Sequence, residues 1–318
     1  MKKTGLLLAL CLLVVAAAAQ QNTAVDQPTP AGTVSTNVNF PVERMETPTH
    51  ADLYCAGFVN QGLLPNASFV AGGLYTPNTT QFADGELVYL TGKTYELGKR
   101  YRIVRELHDP NRRELFDGQF TMLKAMGQPY AELAIARVVD TRSRMAVAHI
   151  EFSCAPVLPG DIVTEYVEKA TIPFHPPLQF DRFAPSNGKA SGRIVLAKDF
   201  DSELGSGMKV YMNLGSNQGI KAGDYFRAFR SYEADLHNPV DSLSFKASTA
   251  EDTQAKPPSI EKAMFTKSSG PTIHVADFPR RAVGEIVILE VTPTTATGMI
   301  VFAMEDLHLG DGVELDPQ

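Results

Sequence analysis

Residues 146–152 read Ala-Val-Ala-His-Ile-Glu-Phe, and residues 296–302 read Ala-Thr-Gly-Met-Ile-Val-Phe. In each stretch, alternate residues form one apolar face: Ala146, Ala148, Ile150 and Phe152 in the first, and Ala296, Gly298, Ile300 and Phe302 in the second. Period-two alternation with β-branched and aromatic residues is typical of a half-buried strand. Because the two stretches match at a fixed separation of 150 residues, they indicate an internal repeat.

A second pair of matching blocks lies upstream in both halves of the chain. Val88-Tyr89-Leu90 resembles Val210-Tyr211-Met212, and residues 98–105 resemble residues 223–230 with Gly and two Arg at the same spacing. Two blocks in the same order predict a duplicated module. The predicted fold class is all-β: two tandem small antiparallel β-barrel or sheet modules with one short helix, after a signal peptide and a flexible leader. About 100 residues per module leave room for roughly five to seven strands.

Glycine-led turns mark the ends of the predicted strands. The turn residues are Gly98, Gly160, Asp161, Gly223, Asp224, Gly310 and Asp311. Glycine permits positive φ, and an Asp side chain can accept hydrogen bonds from nearby backbone amides. A metal site would need several converging oxygens, whereas each turn supplies one carboxylate, so we predict no metal site here.

The structure of the remaining segments is predicted from their amino-acid composition. Phe120, Leu123 and Lys124 predict the short helix, which ends at Gly127. A Ser/Thr/Lys/Pro-rich stretch in the second copy is interpreted as a mobile insertion, and a Pro-rich stretch between the copies as an extended linker. The predicted domains are a signal peptide at 1–19, a leader at 20–47, module 1 at 48–166, a linker at 167–190, and module 2 at 191–318 with its insertion at 234–278.

The N-terminus has the order of an export signal. Lys2 and Lys3 precede an apolar run that ends in small residues, which predicts cleavage between Ala19 and Gln20. The run is about 15 residues, shorter than the roughly 20 needed to span a bilayer, although an uncleaved anchor is the alternative. We therefore predict a bacterial periplasmic or extracellular protein with no transmembrane segment after signal cleavage.

Charge and cysteine content narrow the function classes further. Without Lys2 and Lys3 the chain has 27 basic and 36 acidic residues, a net charge of −9, which argues against nucleic acid as a partner. Cys55 and Cys154 are the two cysteines left after signal cleavage. In an oxidising compartment such a pair predicts a disulfide, and two free buried thiols are the alternative.

The repeated blocks also resemble known envelope modules. Residues 210–230, with Gly284-Glu285 and Gly310-Asp311, resemble the C-terminal domain of flagellar assembly protein T. The first module, through residues 54–58, 152–154 and 181–185, is similar to a family of secreted bacterial envelope proteins. The resemblance implies a non-enzymatic envelope role. It does not imply flagellar work, because the flagellar protein's other domains have no counterpart here.

A search for catalytic motifs leaves three functional hypotheses. No nucleophile, phosphate-loop or zinc motif is complete, so we predict no enzyme activity and no cofactor. The first hypothesis is a binding or scaffolding protein that presents loops to an envelope protein or to peptidoglycan or another glycan. The alternative is a secreted hydrolase whose site is assembled from scattered residues. A glycan-binding module would need exposed aromatic residues, for which the candidates are Tyr95, Tyr130, Tyr225 and Tyr232. Packing in the cores and strands is the use that we expect for these tyrosines instead.

Overall fold

The computed structural model describes residues 47–110, 113–173, 180–231 and 279–316, with three two-residue strands between residues 247 and 274. The predicted signal at 1–19, its cleavage site between Ala19 and Gln20, and the leader up to residue 46 lie outside the described residues. Most of the predicted insertion at 234–278 lies outside them as well.

The first copy forms barrel 1, a closed ring of six antiparallel strands. The chain enters through β1 (Phe58–Asn60), which pairs with the start of β5 outside the ring. The ring strands are β2 (Phe69–Gly73), β3 (Leu87–Thr91), β4 (Arg100–Glu106), β5 (Gln128–Asp140), β6 (Ala146–Ser153) and β7 (Ile162–Glu165). Their order is β5-β4-β7-β2-β3-β6, and β6 pairs back to β5 to close the barrel.

The second copy forms barrel 2, which is also closed and six-stranded. Its strands are β8 (Ser191–Ala197), β10 (Lys209–Met212), β11 (Tyr225–Arg230), β15 (Arg281–Val291), β16 (Ala296–Ala303) and β18 (Gly312–Leu315). Two short strands, β9 (Glu203–Leu204) and β17 (Leu307–His308), pair with each other beside it. Within the insertion, β12 (Ala247–Ser248), β13 (Thr253–Gln254) and β14 (Ile273–His274) pair in that order.

Barrel 2 repeats the topology of barrel 1 strand for strand. Its order is β15-β11-β18-β8-β10-β16, which is the order of barrel 1 with each strand replaced by its sequence counterpart. The register is kept as well, since Ile150 pairs with Ala136 in barrel 1 and Ile300 pairs with Ile286 in barrel 2. Both isoleucines are fully buried in their barrel cores. The predicted fold of two tandem β modules is therefore confirmed.

Irregularities in the ladders are duplicated too. β5 and β6 shift register after Ile135, and β15 and β16 shift after Glu285, which is the same position in the repeat. β4 shifts register against β5 after Ile103, and β11 shifts against β15 after Ala228, again at matching positions. Each shift adds a residue to one strand and increases its local bend, so the two barrels are curved at the same points.

One strand departs from the half-buried pattern that its sequence predicted. In β6 the buried residues alternate, whereas in β16 every residue from Ala296 to Phe302 is buried. The outward-facing Met299 and Val301 pack with Leu53 and other residues that precede β1. β16 is buried on both faces because one face lines the barrel and the other lies against barrel 1 and its N-terminal segment.

The described residues contain two α-helices, whereas the sequence predicted one short helix. The unpredicted α1 (His50–Tyr54) begins with a capping box, in which Asp52 N donates to Thr49 Oγ1 and Thr49 N donates to Asp52 Oδ2. The predicted helix is α2 (Gln119–Met126), and it ends at Gly127 as expected. Although α2 belongs to the first copy, Met126 packs in the core cluster of barrel 2.

Segments between the modules are partly described. Of the predicted linker at 167–190, residues 174–179 lie outside the described residues. Before the gap Ile172 is buried, and after it Phe180 packs against Phe302 of barrel 2. The strands of barrel 1 fall within 48–166 and those of barrel 2 within 191–318.

Candidate functional site

A short segment of the first copy lies between the two barrels. We call residues 55–60 the strap. Side chains of barrel 2 donate to three strap carbonyls: Tyr211 Oη to Ala56 O at 3.3 Å, Thr297 Oγ1 to Gly57 O at 2.9 Å, and Thr295 Oγ1 to Val59 O at 3.1 Å. Because the strap also pairs with β5, it joins barrel 1 to barrel 2 through backbone groups that would otherwise be buried without partners.

Gly57 is the tightest point of the strap. Its φ is +72°, and a Cβ at this position would lie 2.5 Å from Tyr211 Oη and 2.7 Å from the Tyr130 carbonyl oxygen. Both the backbone conformation and the available space therefore require glycine.

The predicted disulfide holds the strap at its N-terminal end. Cys55 and Cys154 are bonded, with a Cα–Cα distance of 5.5 Å and a sequence separation of 99. The bond links the strap to the segment after β6, which the sequence places in the first copy only. The prediction of a disulfide is confirmed, and the alternative of two free thiols is wrong.

A charge-balanced network is buried beside the strap. Glu132 accepts from Arg102 Nη1 at 3.0 Å and from Lys169 Nζ at 2.8 Å, and Glu290 of barrel 2 accepts from the same Lys169 Nζ at 2.6 Å. Burial, together with the nearby Glu290 carboxylate, raises the pKa of Glu132, while Lys169 and Arg102 oppose that rise. Two cations and two carboxylates thus connect β4, β5, β15 and the linker, which is a structural role.

An Arg–Asp ion pair at a Gly-Asp turn is present in both barrels. In barrel 1, Arg105 makes a bidentate pair with Asp161 at 2.7 and 2.8 Å, and in barrel 2 Arg230 pairs with Asp311 at 2.8 Å for both contacts. Each aspartate also accepts from a backbone amide three residues before it, as Asp224 does in its own turn. The predicted turn glycines have positive φ: Gly98 at +79°, Gly160 at +95°, Gly223 at +92° and Gly310 at +99°. These residues brace the barrels, and they do not converge on one site.

A single buried carboxyl stands out in barrel 2. Glu285 on β15 lies opposite Arg227 on β11, and it makes no hydrogen bond within the described part of the chain. Burial, with the Asp316 carboxylate nearby, raises the pKa of Glu285 to about 7 against the opposing effect of Arg227. Arg227 binds Asp316 through Nη2 at 3.2 Å, and its buried Nε has no acceptor among the described residues. The matching residue in barrel 1 is Ile135.

A cleft of about 320 Å³ opens at one end of barrel 2. Its polar walls include Ser191 and Arg193 of β8, Asn213 after β10, and Ser231 after β11. The backbone amide of Arg193 donates to Asn213 Oδ1 at 2.7 Å, and the Asn213 Nδ2 donates to no group among the described residues. Apolar surface comes from Phe229 of β11 and from Met122 of α2. The cleft can therefore hold a small ligand or a chain segment between hydrogen-bond donors and apolar groups.

The sequence did not point to this cleft. Among the tyrosines considered for glycan stacking, Tyr95, Tyr130 and Tyr225 are buried, and Tyr232 lies outside the described residues. Arg193 belongs to no motif, and Asn213 lies in the 210–230 block without a role assigned to it by the sequence. The signal that could have found Arg193 is the repeat itself, because its counterpart in barrel 1 is the apolar residue Phe69.

Three further findings concern the described residues and the whole sequence. In the described ranges, no three His, Cys, Asp or Glu side chains come together to hold a metal ion. None of the helices in those ranges has the length and apolar character required to cross a membrane. No protein-family model matches the chain, and no curated protein matches it significantly.

Proposed function

We propose that this protein is an exported, non-enzymatic binding or scaffolding protein of the bacterial cell envelope, which presents loops of its two β modules to a partner. The observation that carries the proposal is the open cleft of barrel 2, where Arg193, Asn213 and Phe229 offer a charge, an amide and an aromatic face. Ligand sites commonly combine apolar surface with a few polar groups in this way.

The disulfide of the first copy and the polar contacts between the barrels support the same role. The Cys55–Cys154 disulfide suits a protein that works in an oxidising compartment. The strap and the Glu132 network hold the barrels as one body, so loops of both copies keep fixed positions relative to each other. Pre-organised surfaces of this kind lose less conformational entropy on binding.

The alternative of a secreted hydrolase would require an acid and a base inside a cleft. Glu132 and Glu285 are the described carboxyls whose pKa is raised, and neither of them lines the cleft. The proposal of a binding protein is therefore preferred.

Export is tested by fractionating bacteria that express the full chain. We expect the mature form in the periplasm or medium with Gln20 as its first residue, whereas a chain that lacks residues 2–19 should stay inside the cell. Retention of the full chain in the cytoplasm would contradict the localisation.

Binding is tested by placing a photo-crosslinking amino acid at Ser231, on the wall of the cleft. The matched control carries the same amino acid at Arg144, an exposed residue in barrel 1. We expect crosslinked envelope components from the Ser231 position alone. Equal products from both positions, or none from either, would count against a binding role for the cleft.

A further inference from the structure

The duplicated fold shows how the corresponding surface is used in barrel 1. There, Val104 of β4 and Ile162 of β7 form a buried cluster with Phe58 of the strap, and Leu64 packs against it. Phe58 belongs to β1, an extended segment that also pairs its backbone with β5. In barrel 1 this surface is therefore covered by an extended stretch of peptide.

In barrel 2 the matching surface is only partly buried. The residues that correspond to Val104 and Ile162 are Phe229 and Gly312, because each pairs with its neighbours in the equivalent register. Both line the cleft of about 320 Å³. The Phe229 ring lies over Gly312, where a Cβ would be 2.4 Å from the ring, so the glycine lets the ring pack against β18. The Arg280 guanidinium lies over the same ring, 4.5 Å from its centroid.

The two surfaces differ in polarity as well as in burial. Where barrel 1 has Phe69, barrel 2 has the exposed Arg193, which makes no ion pair within the described part of the chain. The neighbouring arginines are already used, since Arg230 pairs with Asp311 and Arg280 with Glu314. Arg193 is thus the cation at the cleft that remains available to a ligand.

We propose that the cleft binds an extended peptide segment of a partner protein, with a carboxylate held by Arg193 and Asn213 and an adjacent apolar side chain held between Phe229 and Met122. This inference rests on the proposed binding function and names its ligand class. An arginine guanidinium pairs well with a carboxylate, and the Asn213 amide supplies a further donor. A peptide is favoured over a glycan because barrel 1 already holds an extended peptide at the equivalent surface.

The test compares two labelled peptides on the full mature chain. Their template is residues 58–64, Phe-Val-Asn-Gln-Gly-Leu-Leu, which cover barrel 1. The neutral probe is this peptide with blocked ends, and the acidic probe is Phe-Val-Asp-Glu-Gly-Leu-Leu with blocked ends. Fluorescence anisotropy gives the affinities, and an oligosaccharide of uronic acids serves as a competing carboxylate from a glycan.

We expect the acidic probe to bind at least about tenfold more tightly than the neutral one, the typical effect of one hydrogen bond to a charged group. Arg193→Ala should remove that preference. The matched variant Arg144→Ala, which also loses an exposed arginine, should keep it. The NMR chemical shifts of the Asn213 side-chain amide and the Met122 methyl group should change when the acidic probe binds.

Three results would overturn the proposal: equal affinity for both probes, equal behaviour of the two arginine variants, or tighter binding of the uronic acid oligosaccharide than of the acidic probe. Crosslinking from Ser231 separates this inference from the proposed function. If Ser231 captures an envelope component while the acidic probe fails to bind, the binding role stands and the peptide assignment is wrong. If both fail, the binding role of the cleft is wrong.

Discussion

Replacing Glu285 by isoleucine should make the stability of this protein less dependent on pH. Isoleucine is the residue that barrel 1 has at the same place, Ile135. The pKa of Glu285 is raised from 4.5 to about 7 in the folded chain. Below pH 4.5 the carboxyl is protonated in both the folded and the unfolded state, so it has no pH-dependent effect. Between pH 4.5 and 7 the unfolded chain loses the proton while the folded chain keeps it, so stability falls as pH rises. A shift of this size corresponds to about 3 kcal/mol.

Urea unfolding at pH values from 4 to 8 measures the effect. The free energy of unfolding of Glu285→Ile, minus that of the wild type, should grow by up to about 3 kcal/mol across this range. Other groups titrate in both proteins, and the difference removes their contribution. Glu285→Gln, which keeps the size and polarity of the side chain, is the control and should show the same pH trend. A difference that stays constant or shrinks between pH 4.5 and 7 would show that the carboxyl is not buried as described.

Three further predictions concern the strap, the disulfide and the turn braces. Gly57→Ala should destabilise the fold by about 3 kcal/mol or more in thermal unfolding, while the exposed control Gly62→Ala, whose Cβ would meet nothing within 4 Å, should cost less than about 1 kcal/mol. Replacing Cys55 and Cys154 by alanine should lower the free energy of unfolding by about 4 to 5 kcal/mol, and a reductant should then have no additional effect on the variant. Asp311→Asn should cost about 3 to 5 kcal/mol because it removes the carboxylate charge that faces the buried guanidinium of Arg230, and a loss below 1 kcal/mol would contradict the bracing role.

The barrel architecture could be predicted because the same strand and turn pattern is present in both halves of the sequence. The alternation of apolar and polar residues at 146–152 predicts a strand. The matching stretch at 296–302 shows which residues of the two modules correspond. The turn glycines then set where the strand that follows each turn begins. The small helix α1 could have been found from its capping box, Thr49 and Asp52, although five residues are too few to show a helical period.

The cleft and the buried carboxyl could not be predicted in the same way. Glu285 is polar in sequence and would be placed outside, yet it is buried between Arg227 of β11 and Phe302 of β16. Arg193 and Met122 come from different copies of the repeat, so no local pattern brings them together. The contact of the strap with Tyr211 likewise depends on how the two barrels meet.

The strap also sets an order of assembly. It stands ahead of every strand of both rings in the chain, and its disulfide partner Cys154 precedes the whole of barrel 2. A chain that emerges from its N-terminus therefore contains every strand of the first ring and both cysteines of the bond before Ser191 appears. The completed first ring then offers the strap carbonyls as a ready template on which β16 can dock.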